Sequence, residues 1–97
     1  MLTGKQKRYL RSLAHPLKPI FQVGKAGVNA NLIRQVSDAL EARELIKVSV
    51  LNNCPQSRDE VGTEISEKCA AEWVQSIGHT LVFYKQSQEN RHIVLPR

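Results

Sequence analysis

The chain has 97 residues, 41% of them apolar and 24% charged, which is the size of one domain and an ordinary globular composition. Its longest unbroken apolar run is Leu81 to Tyr84, far below the ~20 residues of a membrane helix. Fourteen Lys and Arg stand against nine Asp and Glu, a net charge of +5. The excess is sharply placed: Lys5, Lys7, Arg8, Arg11, Lys18, Lys25 and Arg34 precede the first acid, Asp38. Such segregation points to a polyanionic partner, of which nucleic acid is the commonest.

From the amino end, residues 3–14 are expected to form a helix. Leu2, Gln6, Tyr9, Leu10 and Leu13 share one face at helical spacing. Lys5, Lys7, Arg8 and Arg11 spread over the other, and Thr3 with Gln6 has capping-box spacing. The prolines at 16 and 19 break the helix. Ile20 to Val23 is expected to be a short strand ending in the turn Gly24-Lys25-Ala26-Gly27. Asn29 or Asn31 then caps a helix over about 30–43, with Leu32, Ile33, Val36, Ala39 and Leu40 inward. Residues 45–51 alternate as a strand, with Ile46, Val48 and Val50 on one face.

Ser57 and Glu60 form a second capping box. It opens a third helix expected to reach about Ser76, with Val61, Ile65, Cys69, Trp73 and Ile77 as its buried stripe and Gly78 as its stop. Strands are expected at 80–85 and 92–95, around a turn at 86–90. The expected order is α-β-α-β-α-β-β, an α+β fold with a four-stranded mixed sheet packed with three helices. Both βαβ units are expected to place their strands parallel. The chain reads as a single domain with no linker or repeat.

The informative motif is Gly24-Lys25-Ala26-Gly27. A strand, two glycines flanking two residues, and a capped helix together make a backbone nest. Helix-start N–H groups and the helix dipole favour an anion there, and Lys25 adds a full charge. The geometry suits the phosphate backbone of a single strand, as in the GXXG loop of KH domains. Mononucleotide-loop patterns are absent. The histidines (His15, His79, His92) and cysteines (Cys54, Cys69) lack metal-ligand spacing, so no metal site or other cofactor is expected. Both thiols are expected free, in a reducing cytoplasm and without a leader peptide. No catalytic constellation stands out, and neither an enzyme nor a small-molecule site is expected. Tyr9, Phe21 and Trp73 sit at core-facing positions, and one of Phe83 and Tyr84 is free to stack on a base.

Several segments resemble the CRM domain (chloroplast RNA splicing and ribosome maturation). They are Leu2-Thr3 with Lys7, Leu10-Arg11 and Ala14; Val23 to Asn29; Glu44 to Val48; and Ile77-Gly78 followed by Leu81 to Lys85. As a stand-alone domain the chain is similar to the bacterial YhbY/YqeI-type proteins. The resemblance implies a fold like the C-terminal domain of translation initiation factor three. It also implies binding to RNA in precursors of the large ribosomal subunit, as an assembly factor. The family's closing strand often finishes in arginine; here Lys85 offers a point charge without bidentate geometry. The expected RNA contacts are therefore Gly24, Lys25, Ala26, Gly27 and Asn29, with Lys5, Lys7, Arg8, Arg11, Lys18 and Lys85. The expected partner is RNA, bound by a monomer away from membranes. The alternative is a module that docks its basic face on an acidic protein; duplex DNA is disfavoured for want of a helix-turn-helix pair.

Overall fold

The computed structural model describes residues 2–97. Helix α1 spans Gly4–Ala14, strand β1 Phe21–Val23, helix α2 Ala30–Arg43, strand β2 Leu45–Val50, helix α3 Arg58–Cys69, strand β3 Glu72–Ile77 and strand β4 Thr80–Tyr84. The sheet order is β1-β2-β4-β3. Strands β1 and β2 are parallel, while β4 is antiparallel to both of its neighbours. The fold is α+β with three helices and a four-stranded mixed sheet, as the sequence leads one to expect.

Local chemistry starts each helix. In α1 and α3 both capping boxes form, Thr3 with Gln6 and Ser57 with Glu60. Asn29, rather than Asn31, caps α2, its side-chain oxygen accepting the Leu32 N–H at 2.9 Å. Strand alternation then sorts the side chains. Ile46, Val48, Val50, Leu81 and Phe83 join Val36, Leu40, Val61 and Ile65 in a core under α2 and α3. On the other face Leu45, Val82 and Tyr84 meet Leu10 and Ala14 of α1.

Three expectations fail in the last third. First, α3 ends at Cys69, not near Ser76. Ala70 takes a left-handed conformation (φ 53°), and Trp73 and Ile77 lie on β3. Gly78, at φ +58°, turns the β3–β4 hairpin instead of stopping a helix. Secondly, the strand after α3 that runs parallel to β2 is β3, with β4 inserted between them. The expected parallel partner, the strand at 80–85, forms as β4 and is antiparallel to β2. Thirdly, residues 92–95 form no strand. Two inward assignments also fail: Tyr9 is 38% exposed and Ile77 is half exposed. Phe83 and Tyr84 are both buried, on opposite faces, so neither is available to a base.

The segment after β4 is tied down by two carboxylates at the end of α2. Fully buried Glu44, at φ +67°, accepts the N–H groups of Ser87, His92 and Ile93 at 2.8–2.9 Å. Burial pushes its carboxyl up, but these bonds and the nearby His92 ring outweigh that and hold it below the ordinary carboxylate range. Glu41 accepts the Ser87 hydroxyl at 2.6 Å and the Gln88 and Glu89 N–H groups at 2.9 and 3.0 Å. Led by the Gln88 N–H, these donors lower its carboxyl from 4.5 to about 2.

A carboxyl lowered on folding adds stability that is complete above its unfolded value and is lost as pH falls through its folded value. The Glu41 contribution should thus fade between about pH 4.5 and 2. Amide chemical shifts of Gln88 and Glu89, followed by NMR through this range, should report a Glu41 midpoint near the lower limit. A midpoint at 4.5 would mean that the Glu41 contacts are not formed in solution.

Candidate nucleic-acid interface

Strand β1 ends at Val23, opposite Val50, and the chain then makes the Gly24–Gly27 turn. The Gly27 N–H donates to the Gly24 carbonyl at 2.9 Å. Gly27 sits at φ +68°, and a Cβ there would stand 2.9 Å from Gln56 Oε1, so this glycine is required by the fold. Gly24 is different. Its φ is ordinary, and a Cβ would meet only Asn53 and Leu51 atoms at 3.5 Å, normal contact. Nothing inside the molecule demands glycine at 24. Lys25 and Ala26, at the tip, are exposed.

Gln56 fixes the exit of the loop, a role with no signal in local spacing because it lies 28 residues away. Its Oε1 accepts the Val28 N–H at 2.7 Å, and its Nε2 donates to Glu64 Oε1 at 2.7 Å. Glu64 in turn accepts from Lys68 Nζ at 2.6 Å, and Lys68 and then Gln56 lower its carboxyl. The Val28 and Leu32 amides are thereby spent inside the protein. The helix-start N–H groups are therefore less free than the sequence implies. What remains for an anion is the tip of the loop and the first amides of α2, which have no intrahelical acceptor.

The parallel strand order brings both α2 and α3 to the carboxyl end of the sheet at their amino termini. Their charge differs. The first turn of α3 carries Asp59 and Glu60, which match its dipole from within; the first turn of α2 carries no acid. Of the two, the α2 terminus is the one without an acid in its first turn, and the exposed Lys25 lies five residues before Ala30 in the chain.

The hairpin turn shares this end, since the Val50 N–H donates to the His79 carbonyl at 2.8 Å. Arg58, which sequence reading passed over, donates to the Gly78 carbonyl at 2.9 Å. Helix α1 lies on the sheet face opposite α2 and α3. Its Arg11 borders a hollow with His15, Gln75 and Ile77, close to the hairpin. Arg11 and the loop therefore share one end of the sheet but stand at opposite edges, where strands β1 and β3 are about 14 Å apart at ordinary strand spacing. Lys5, Lys7 and Arg8 are exposed on α1, Lys18 on the segment before β1, and Asn29 at the α2 cap. Lys85 is committed elsewhere: its ammonium donates to the Cys69 carbonyl at 3.0 Å, at the negative end of α3. That contact accounts for a cation at 85 without RNA. Among the described residues no group of His, Cys, Asp or Glu is arranged to hold a metal ion.

Comparison with known proteins agrees with this architecture. The model of the CRS1/YhbY (CRM) domain matches residues 2–85. The probable RNA-binding protein YqeI of Bacillus subtilis is 59% identical, across 99% of this chain and 100% of that one. An RNA-binding protein of Haemophilus influenzae is 38% identical, across 99% and 96% of the two chains. The solution structure of a Staphylococcus aureus protein superposes with a TM-score of 0.82 at 56% identity, across 99% of this chain and 100% of that one. With the family pattern spanning the glycine loop, the capped helix and the sheet behind them, the chain belongs to the CRS1/YhbY (CRM) domain family.

Proposed function

We propose that this protein binds single-stranded regions of RNA through their phosphate backbone, with Gly24, Lys25, Ala26, Gly27 and Asn29 as the central contact. Lys5, Lys7, Arg8 and Arg11 on α1 and Lys18 before β1 are exposed bases away from the loop that add positive charge for further stretches of the RNA. The observation that carries the reading is the contrast between the two helix starts: the first turn of α3 holds Asp59 and Glu60, while that of α2, capped by the neutral Asn29, holds no acid and follows a glycine turn that carries Lys25. The names of the relatives in Bacillus and Haemophilus support RNA as the partner. In the same reading the protein is a cytoplasmic, monomeric, non-catalytic assembly factor on precursors of the large ribosomal subunit. That part rests on the resemblance to YhbY/YqeI-type proteins.

The electrostatic content is testable with salt. About four phosphate contacts on a single strand give a slope of log K against log salt of about −3. Fluorescence titrations of a labelled single-stranded RNA at several salt concentrations should return that slope. A slope near zero would remove the phosphate-binding account.

A further inference from the structure

A second basic surface lies at the other end of β1. The segment before the strand, the end of α2 and the start of β2 form a groove lined by Leu17, Lys18, Ile20, Arg43 and Lys47. The lining holds three bases and no acid. Leu17 and Ile20 are apolar yet 38% and 39% exposed. Lys47 is buried beneath them, its ammonium donating to the Leu17 carbonyl at 2.9 Å and the His15 carbonyl at 3.5 Å. Among the described residues no carboxylate pairs with Lys18, Arg43 or Lys47, so none of the three bases is neutralised by a direct ion pair.

The groove is joined to the glycine loop by an open sheet edge. Among the described residues strand β1 pairs only with β2, so its outer side offers unpaired backbone donors and acceptors. Seven residues separate Lys18 from Lys25, at most about 23 Å of extended chain. That is comparable with the reach of a G-x-x-G module that holds about four nucleotides. We propose that the groove is a second contact for the same RNA strand, which runs along the free edge of β1 from the GKAG loop to Lys18 and Arg43. Phosphates meet the two cations, and a nucleobase lies against Leu17 and Ile20. The inference rests on the RNA-binding reading above and adds Arg43, Leu17, Ile20 and a direction of travel to it. An acidic peptide is the competing occupant; the uninterrupted edge leading to a phosphate-type loop favours RNA.

The test uses the whole chain carrying Lys18→Ala and Arg43→Ala, titrated with a uridine-only oligonucleotide of about eight residues. Both side chains are exposed, and a thermal melt checks that the fold is intact. Affinity should fall about tenfold, and loss of two phosphate contacts should make the salt slope shallower by about 1.4. Photo-crosslinking of wild type with 4-thiouridine in the oligonucleotide should label the 17–20 segment as well as the loop. If the double variant binds within twofold of wild type while Lys25→Asp weakens binding, the RNA does not reach the groove and this proposal is overturned with the RNA reading intact. If both variants bind as wild type does, the two readings fall together. Loss of oligoglutamate binding with RNA binding unchanged would assign the groove to an acidic protein and overturn the proposal.

Discussion

Replacing the partly buried Trp73 with alanine is expected to lower stability by about 3 kcal/mol, the lower end of the range for truncating a large aromatic. The ring lies across α3 at Gly62, where a Cβ would come within 2.7 Å of three ring carbons. The pairing is specific: a helix position without a side chain makes room for an indole from the edge strand. Trp73 also packs against the core under α2 and α3. Its Nε1 is buried with no hydrogen-bond partner among the described residues. An unmet donor costs about 1–3 kcal/mol, so the native state already bears a penalty that alanine would remove. This places the net loss near 3 kcal/mol, a fall in Tm of roughly 12–24 °C for a domain this small. A thermal melt within a few degrees of wild type would show that the ring is not seated on Gly62.

Glu44→Gly sets two opposing effects against each other. At φ +67° a residue with a side chain is strained, and glycine would relieve about 1–2 kcal/mol. The same change removes a buried carboxylate that accepts three backbone N–H groups. Hydrogen bonds to a charged group contribute about 1.5–3 kcal/mol each. The freed donors can partly recover by turning to water as the 87–93 segment detaches, which limits the cost. A net loss of about 2–4 kcal/mol is expected, with hydrogen-exchange protection vanishing first at Ser87, His92 and Ile93. A variant as stable as wild type, or more so, would mean that strain relief wins and that Glu44 holds the segment only weakly.

The first half of the chain was the more legible, because short-range chemistry marks its boundaries. The Thr3–Gln6 box, the prolines at 16 and 19, the glycine turn and the Asn29 cap each act over three or four residues. The end of α3 was hidden for a definite reason. Val61, Ile65, Cys69, Trp73 and Ile77 recur every fourth residue, so the helical stripe runs unbroken through the point where the chain leaves the helix. The stop is a left-handed Ala70, without the glycine that usually marks one. A competing signal was present: Glu72–Ile77 and Thr80–Tyr84 flank Gly78-His79, the pattern of a two-residue hairpin. The final strand failed because the backbone donors of His92 and Ile93 are met by the Glu44 side chain, over 40 residues away in sequence. In the candidate site, the glycine turn and its exposed lysine could be read directly from the sequence. The contacts of Gln56 and Arg58 could not, since they arise only when distant segments meet at one end of the sheet.

The measurement that bears most directly on the central claim is an RNA titration, at one fixed salt concentration, of the variant carrying both Lys25→Asp and Ala26→Asp. Both glycines stay, and the Gly24–Gly27 bond and the Gln56 anchor on Val28 are untouched. The α2 dipole tolerates carboxylates at this position, so stability should change by no more than about 0.5–1 kcal/mol. Two negative charges would then stand where a phosphate is expected. Affinity should fall at least tenfold, about 1.4 kcal/mol. If the variant melts like wild type and binds RNA just as tightly, the glycine loop is only a turn and the account of this protein as a phosphate-backbone binder through that loop is wrong.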